Sequence, residues 1–202
     1  TVGFLFWIIW YILSNGLQHV DWKFISGNYT RTGDEQGIFP MIVSTVYMVI
    51  ASIAVAAPMG IMTAIYLTEY AKVGSKLVKV IRFCTESLAG IPSIIFGLLG
   101  LAVIINLFGL PRSAPLVGGI VLTLMTLPTI IIASRASIKA VPPSIREAAT
   151  GLGASKIQTT FSHVLPMAMP GILTGTIIGM AQALGETAPL LMIGISNEHS
   201  KV

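Results

Sequence analysis

Residues 36–68 run for 33 positions without a charged side chain. A stretch of that kind cannot supply the surface of a small water-soluble domain. In lipid every backbone N–H and C=O must be satisfied within the protein, and an uncharged run this long does so as a helix rather than as a short, alternating barrel strand. About 20 residues are enough to cross the hydrocarbon, so this run predicts a tilted span, or one that starts with an interfacial segment near Pro40, bent at Pro58 and Gly60. Two more uncharged runs follow, at 87–111 and 113–134. The composition agrees: 54% of the 202 residues are hydrophobic and only 10% are charged. These are the proportions of a membrane protein.

The expected fold class is all-α, a polytopic transmembrane helical bundle, read as a single domain over residues 1–202. Five spans are predicted. Residues 1–13 form the outer end of the first, with Trp7, Trp10 and Tyr11 in an aromatic belt. The second is the 36–68 run. The third, 87–111, is interrupted at Gly90-Ile91-Pro92-Ser93. The fourth, 113–134, contains Pro128. The fifth, 167–195, contains Pro170, Gly171, Gly175, Gly179, Gly185 and Pro189. Residue 1 lies inside an apolar run without an initiator methionine, so the chain is read as a fragment.

Basic residues orient the bundle. The 69–82 segment holds Lys72, Lys76, Lys79 and Arg82 against Glu69. The 135–156 segment holds Arg135, Lys139, Arg146 and Lys156 against Glu147. The 14–37 segment is balanced by Asp21, Asp34 and Glu35 against Lys23 and Arg31. The positive-inside rule places the first two in the cytoplasm and the third outside. The net charge of +4 is absorbed by this asymmetry and does not point to nucleic acid.

The long polar interruption at 141–170 is the most structured signal. Pro142 and Pro143 break the preceding helix. Ser144 and Glu147 have the spacing of a capping box, and Ser155 and Gln158 repeat it. Ile145, Ala148, Ala149 and Leu152 form one amphipathic stripe; Ile157, Phe161 and Val164 or Leu165 form another. Gly153 ends the first helix, and Pro166 ends or kinks the second. Arg146 and Lys156 decorate the polar side. On physical grounds alone, this is a capped cytoplasmic loop between two spans.

Catalytic chemistry is poorly supported. There is no GxxxxGK[ST] phosphate loop, no metal-ligand spacing and no serine or cysteine with a base near it in sequence. The single cysteine, Cys84, is a small apolar helix residue. Glu186 is an ionisable group in an apolar run and faces either a bundle interior or the outer interface. Gly185 and Pro189 loosen the helix around it. Together with Thr187, they make a polar path conceivable, and Glu86 is a second candidate gate.

Four motifs carry a resemblance. Glu147-Ala148-Ala149, Gly153 and Leu165-Pro166 are similar to the EAA motif of ABC-importer permeases. Gly185-Glu186-Thr187-Ala188-Pro189-Leu190 resembles a segment of phosphate ABC-transporter permeases of the PstA type. The segments at 89–97 and 65–71 resemble that family's AGxPSIxFG and IYLxEYA. The matches run from about residue 37 to 194. Two positions depart from the pattern: His163 stands where an aliphatic residue is usual, and Gln182 stands where many members carry arginine.

The resemblance implies a type I importer permease of the MetI-like kind. Five of the family's six spans are then present and the last is missing. It also implies residence in the bacterial inner membrane, with the 141–166 helices as cytoplasmic coupling helices. Glu147, Ala148, Ala149, Gly153, Leu165 and Pro166 become the ATPase-coupling residues. Gln182, Glu186, Thr187, Pro92 and Ser93 become pathway or gating residues. The implied partners are a homologous permease of the PstC type, two ATP-binding subunits that hold ATP and Mg²⁺, and an external phosphate-binding protein. No cofactor, metal or catalytic residue is expected in this chain. Permeases for sulfate, molybdate or tungstate share the loop. On the residues alone, a secondary transporter using Glu186 as an ion site and a non-transporting scaffold also stand open.

Overall fold

The computed structural model describes residues 1–28, 37–72, 74–109 and 115–195, and every regular element among them is helical. The charges expected outside at Arg31, Asp34 and Glu35, and the turn residue Arg112, lie outside the described residues. The chain divides into two compact units, Thr1–Tyr47 and Met48–Val202.

The first unit holds α1 (Val2–Gly16), a 3₁₀ turn (Leu17–His19), α2 (Trp22–Ser26) and the start of α3 (Phe39–Ile65). α1 buries none of its residues within the chain. Trp7 stacks between Phe4 and Tyr11 with ring centroids 5.9 Å apart on each side. Backbone bonds from Ile38 N–H to the Phe24 carbonyl and from Phe39 N–H to the Gly27 carbonyl tie the entry of α3 to α2.

In the second unit α3 continues past Pro58 and ends in a π turn (Tyr66–Tyr70). α4 (Lys76–Gly90) follows, capped by Ser75, whose Oγ accepts from Val78 N–H. α5 (Ser93–Leu99) leads through a π segment (Gly100–Ile105) to the short α6 (Asn106–Phe108). α7 (Pro115–Ala140), α8 (Pro143–Gly151) and α9 (Lys156–Thr159) come next. A π turn (Thr160–Val164) joins α9 to α10 (Leu165–Gly185), and α11 (Ala188–Ile195) closes the described chain.

Among the described residues, three helical runs are long and apolar enough to cross a membrane: Phe39–Tyr70, Leu116–Ala140 and Lys156–Gly185. The expected third span is a bent pair, Lys76–Gly90 and Ser93–Ile104, meeting at 105°. Pro92 forces this break: the residue before proline is pushed out of the helical region, and Ile91 has ψ 129°. The expected fifth span ends at Gly185, and α11 is a separate helix packed along α5.

α7 and α10 make the central contact of this unit. Gly171, Gly175 and Gly179 recur every four residues on α10. A Cβ on Gly171 would meet Ser137, and one on Gly175 would strike the Ala133 side chain. One on Gly179 would come within 3.2 Å of Ile130 Cγ1. Small residues at this spacing let two helix backbones approach closely, the main source of cohesion where lipid is as apolar as the side chains. A Cβ on Gly60 of α3 would also meet Ile130, at its Cγ2. The core there comprises Val49, Ile53, Ala56, Leu122, Ile130 and Ala183. A second core, Ala64, Ile65, Ile138, Val141, Val164, Ala168 and Ile172, gathers where α3, α7 and α10 approach the α8–α9 segment.

Candidate coupling and translocation sites

α8 opens differently from expectation. Pro142 is its N-cap residue and Pro143 lies in its first turn, with no side-chain cap. The Ser144–Glu147 capping box does not form, because proline supplies the helical φ in advance and has no N–H that needs a partner. The second box forms as predicted: Gln158 N–H donates to Ser155 Oγ at 3.3 Å, and Ser155 N–H donates to Gln158 Oε1 at 2.9 Å.

The end of α8 is a Schellman motif. Gly153 has φ +85°, its N–H donates to the Thr150 carbonyl, and Ala154 N–H donates to the Ala149 carbonyl. Pro166 neither ends nor isolates a helix. It sits in the first turn of α10, within the continuous run Lys156–Gly185, directly after the π turn. A widened turn is one way for a helix to pass a residue that breaks the hydrogen-bond ladder.

The apolar stripe of α8 is divided by the fold. Ala149 is buried and Ile145 packs against the Ile138 core. Ala148 is exposed, and Leu152 is 90% exposed. Ile157 and Phe161 are also exposed, at 63% and 46%, while Val164 is fully buried and Leu165 packs beside it. Glu147 and His163 are exposed.

Arg146 is no surface decoration. Its Nη2 lies 2.6 Å from Glu69 Oε1, and its Nε donates to both Glu69 oxygens at 3.1 and 3.3 Å. Nη1 and Nη2 also donate to the carbonyls of Val141 and Ile138 at 2.8 and 2.9 Å. One guanidinium therefore joins α8, the π turn ending α3, and the C-terminal end of α7 with the residue that follows it. Lys156 Nζ lies 5.3 Å from the Tyr70 ring centroid, a cation–π contact between α9 and the same π turn. The sequence signal for this anchor was Glu69, the lone acid among four basic residues, beside Tyr70.

The candidate pathway residues fall around two helix breaks. Pro92 is the N-cap residue of α5, and Ser93 is its first residue, half-buried. Glu186 ends α10 in an extended conformation (φ −79°, ψ 102°) and is half-buried. Thr187 is exposed, and its carbonyl accepts the Leu191 N–H at 2.9 Å, starting α11. Because α11 packs along α5, the two motif segments lie on neighbouring helices. Gln182, one turn before Glu186, accepts a hydrogen bond from Thr129 Oγ1 at 2.9 Å, tying α10 to α7 just past Pro128. Sequence reasoning missed Thr129, since a threonine inside a span is ordinarily bonded to its own helix.

Residues 56–198 match the family described as "Binding-protein-dependent transport system inner membrane component". A probable ABC transporter permease protein, YqgH of Bacillus subtilis, is 35% identical over 90% of this chain and 60% of its own length. The phosphate transport system permease protein PstA 1 of Mycobacterium tuberculosis is 32% identical over 97% of this chain and 64% of its own. The chain thus spans roughly three fifths of the length of these curated relatives. Among solved structures, an amino acid ABC transporter matches with TM-score 0.61 and 22% identity over 76% of this chain and 69% of that one. The MetNI methionine ABC transporter matches with TM-score 0.64 and 17% identity over 82% of this chain and 79% of that one. At these identities the likeness establishes the fold, that of MetI-like permeases.

Proposed function

Because this chain belongs to the family of inner membrane components of binding-protein-dependent transport systems, we propose that it is a permease subunit of an ATP-driven phosphate importer. It forms half of the translocation pathway and takes up force from an ATPase subunit through α8 and α9. The observation that carries this reading is the combination at these helices. Leu152, Ile157 and Phe161 are left exposed, while Arg146 and Lys156 fasten the same segment to the ends of the spans. A surface that is apolar, uncovered and rigidly tied to long helices suits a partner that pushes. The proposed partners are a homologous permease, two ATP-binding subunits that hold ATP and Mg²⁺, and an external phosphate-binding protein.

Phosphate as the substrate is supported by the similarity to permeases described as phosphate transport proteins. Gln182 favours weighing another tetrahedral oxyanion, since its amide and the Thr129 hydroxyl form a neutral pair. Around this pathway, Glu186, Thr187, Pro92 and Ser93 gate access as the broken helices shift.

The test is reconstitution of the full-length chain with its partner permease, ATPase and receptor in vesicles, measuring ATP-driven uptake of phosphate, sulfate and molybdate. Phosphate alone is expected to accumulate. Gly153→Asp and Glu147→Lys are expected to abolish uptake and weaken capture of the ATPase. If both variants transport normally, the coupling assignment is wrong. If uptake collapses with the proton gradient but not with ATP depletion, the chain is a secondary transporter.

A further inference from the structure

A cavity of about 400 Å³ opens beside the π turn of α3, lined by Thr68, Lys72, Lys79, Arg82, Arg135 and Lys139 together with apolar and glycine residues. Five of its lining residues are cations contributed by three separate parts of the chain, and among the described residues no carboxylate lines it. Glu69, the nearest acid in sequence, is taken by Arg146. Among the described residues, the Nε of Arg135 and the Oγ1 of Thr68 are buried without a hydrogen-bond partner. A buried guanidinium N–H and a hydroxyl left unpaired beside four further cations are costly unless an anion enters.

The geometry points to a binding site for a phosphate group, and we assign it to the phosphodiester headgroup of an anionic phospholipid in the cytoplasmic leaflet. Arg135 and Thr68 would donate to the phosphate oxygens, charge-assisted in the arginine's case. Lys72, Lys79, Arg82 and Lys139 supply the surrounding positive potential. The source is argued from α4. Leu77, Val80 and Phe83 stand exposed at 54%, 57% and 70% on the same helix that sends Lys79 and Arg82 into the cavity. That arrangement suits a helix at the interface, with acyl chains against its apolar side and a headgroup against its basic side. Free inorganic phosphate shares the headgroup chemistry but has no use for the apolar side. The cytoplasmic placement rests on the orientation expected from the basic segments. The lipid measurement itself needs neither nucleotide nor transported anion, so its failure is separable from a failure of ATP coupling.

The experiment uses the full-length chain in its membrane complex, purified without the external receptor. Bound lipid is read by native mass spectrometry, and thermal stabilisation by added phosphatidylglycerol is compared with that by inorganic phosphate. Wild type is expected to retain and be stabilised by phosphatidylglycerol. Lys79→Gln combined with Arg82→Gln, both on exposed positions of α4, is expected to weaken this about fivefold for each cation removed. Lys23→Gln, outside the cavity, is expected to change nothing. Arg135→Gln should lose the specific retention; if it fails to fold, the α4 double variant decides. Equal lipid retention in wild type and the double variant overturns the proposal. Stabilisation by inorganic phosphate in place of the lipid, lost in the double variant, overturns the lipid assignment in favour of a free anion.

Discussion

Arg146 is the residue on which the α8–α9 segment turns. Its planar fork satisfies one carboxylate in bidentate fashion and two carbonyls at the end of α7 at once, and a lysine cannot reproduce that set. Arg146→Lys is therefore expected to lose about 2 kcal/mol of stability, read as a lowered melting temperature in detergent. Exchanging the pair, as Glu69→Arg with Arg146→Glu, should restore only part of the loss, because the carbonyl bonds are not rebuilt. Full rescue by the exchange, or an unchanged melting temperature in Arg146→Lys, would show that charge alone matters. The two partners are 77 positions apart, so the lone acid Glu69 marked an anchor without saying which base would reach it. Gly153 is the opposite case. Its role as a helix stop was legible from the sequence, since the φ of +85° it adopts costs other residues about 1–2 kcal/mol. Gly153→Ala should destabilise by that amount without changing any contact, since a Cβ there meets nothing within 4 Å.

At the scale of elements, the decisive contact is α7 against α10. The glycines of the fifth span were visible in the sequence. Which helix those glycines face was not visible. Gly175→Leu is expected to destabilise by about 3 kcal/mol or prevent assembly, because the added side chain collides with Ala133 of α7. Gly185→Ala, where a Cβ would meet nothing within 4 Å, should fold normally. Expression and melting of the two variants side by side check the contrast. If Gly175→Leu matched Gly185→Ala, the close α7–α10 approach would be wrong. Pro92 likewise announced a break, but the 105° turn between α4 and the run after it depends on what α5 packs against.

For the whole molecule, the exposed side chains of the α8–α9 segment predict assembly rather than stability. Leu152→Asp with Ile157→Asp alters two positions that are 90% and 63% exposed, so melting of the isolated chain should change little. Capture of the ATPase subunit in a pull-down should fall by at least about tenfold, equivalent to roughly 1.4 kcal/mol. Unchanged capture would remove these residues from the interface.

Immersion in lipid and an all-helical fold were settled by the chain itself. Long uncharged runs without polar alternation satisfy their backbone in lipid as helices rather than as the short strands of a closed barrel. Local chemistry also determined the Ser155–Gln158 cap, the Gly153 stop and the break before Ser93, because each depends on neighbours within a few residues. Tertiary structure alone decided that Ile145 and Ala149 turn inward while Ala148 and Leu152 stay out, that Arg146 is an anchor, and that five cations from three segments share one cavity. These outcomes depend on partners brought together from distant parts of the chain, and hydrophobic period and charge pattern carry no information about which distant partner will arrive.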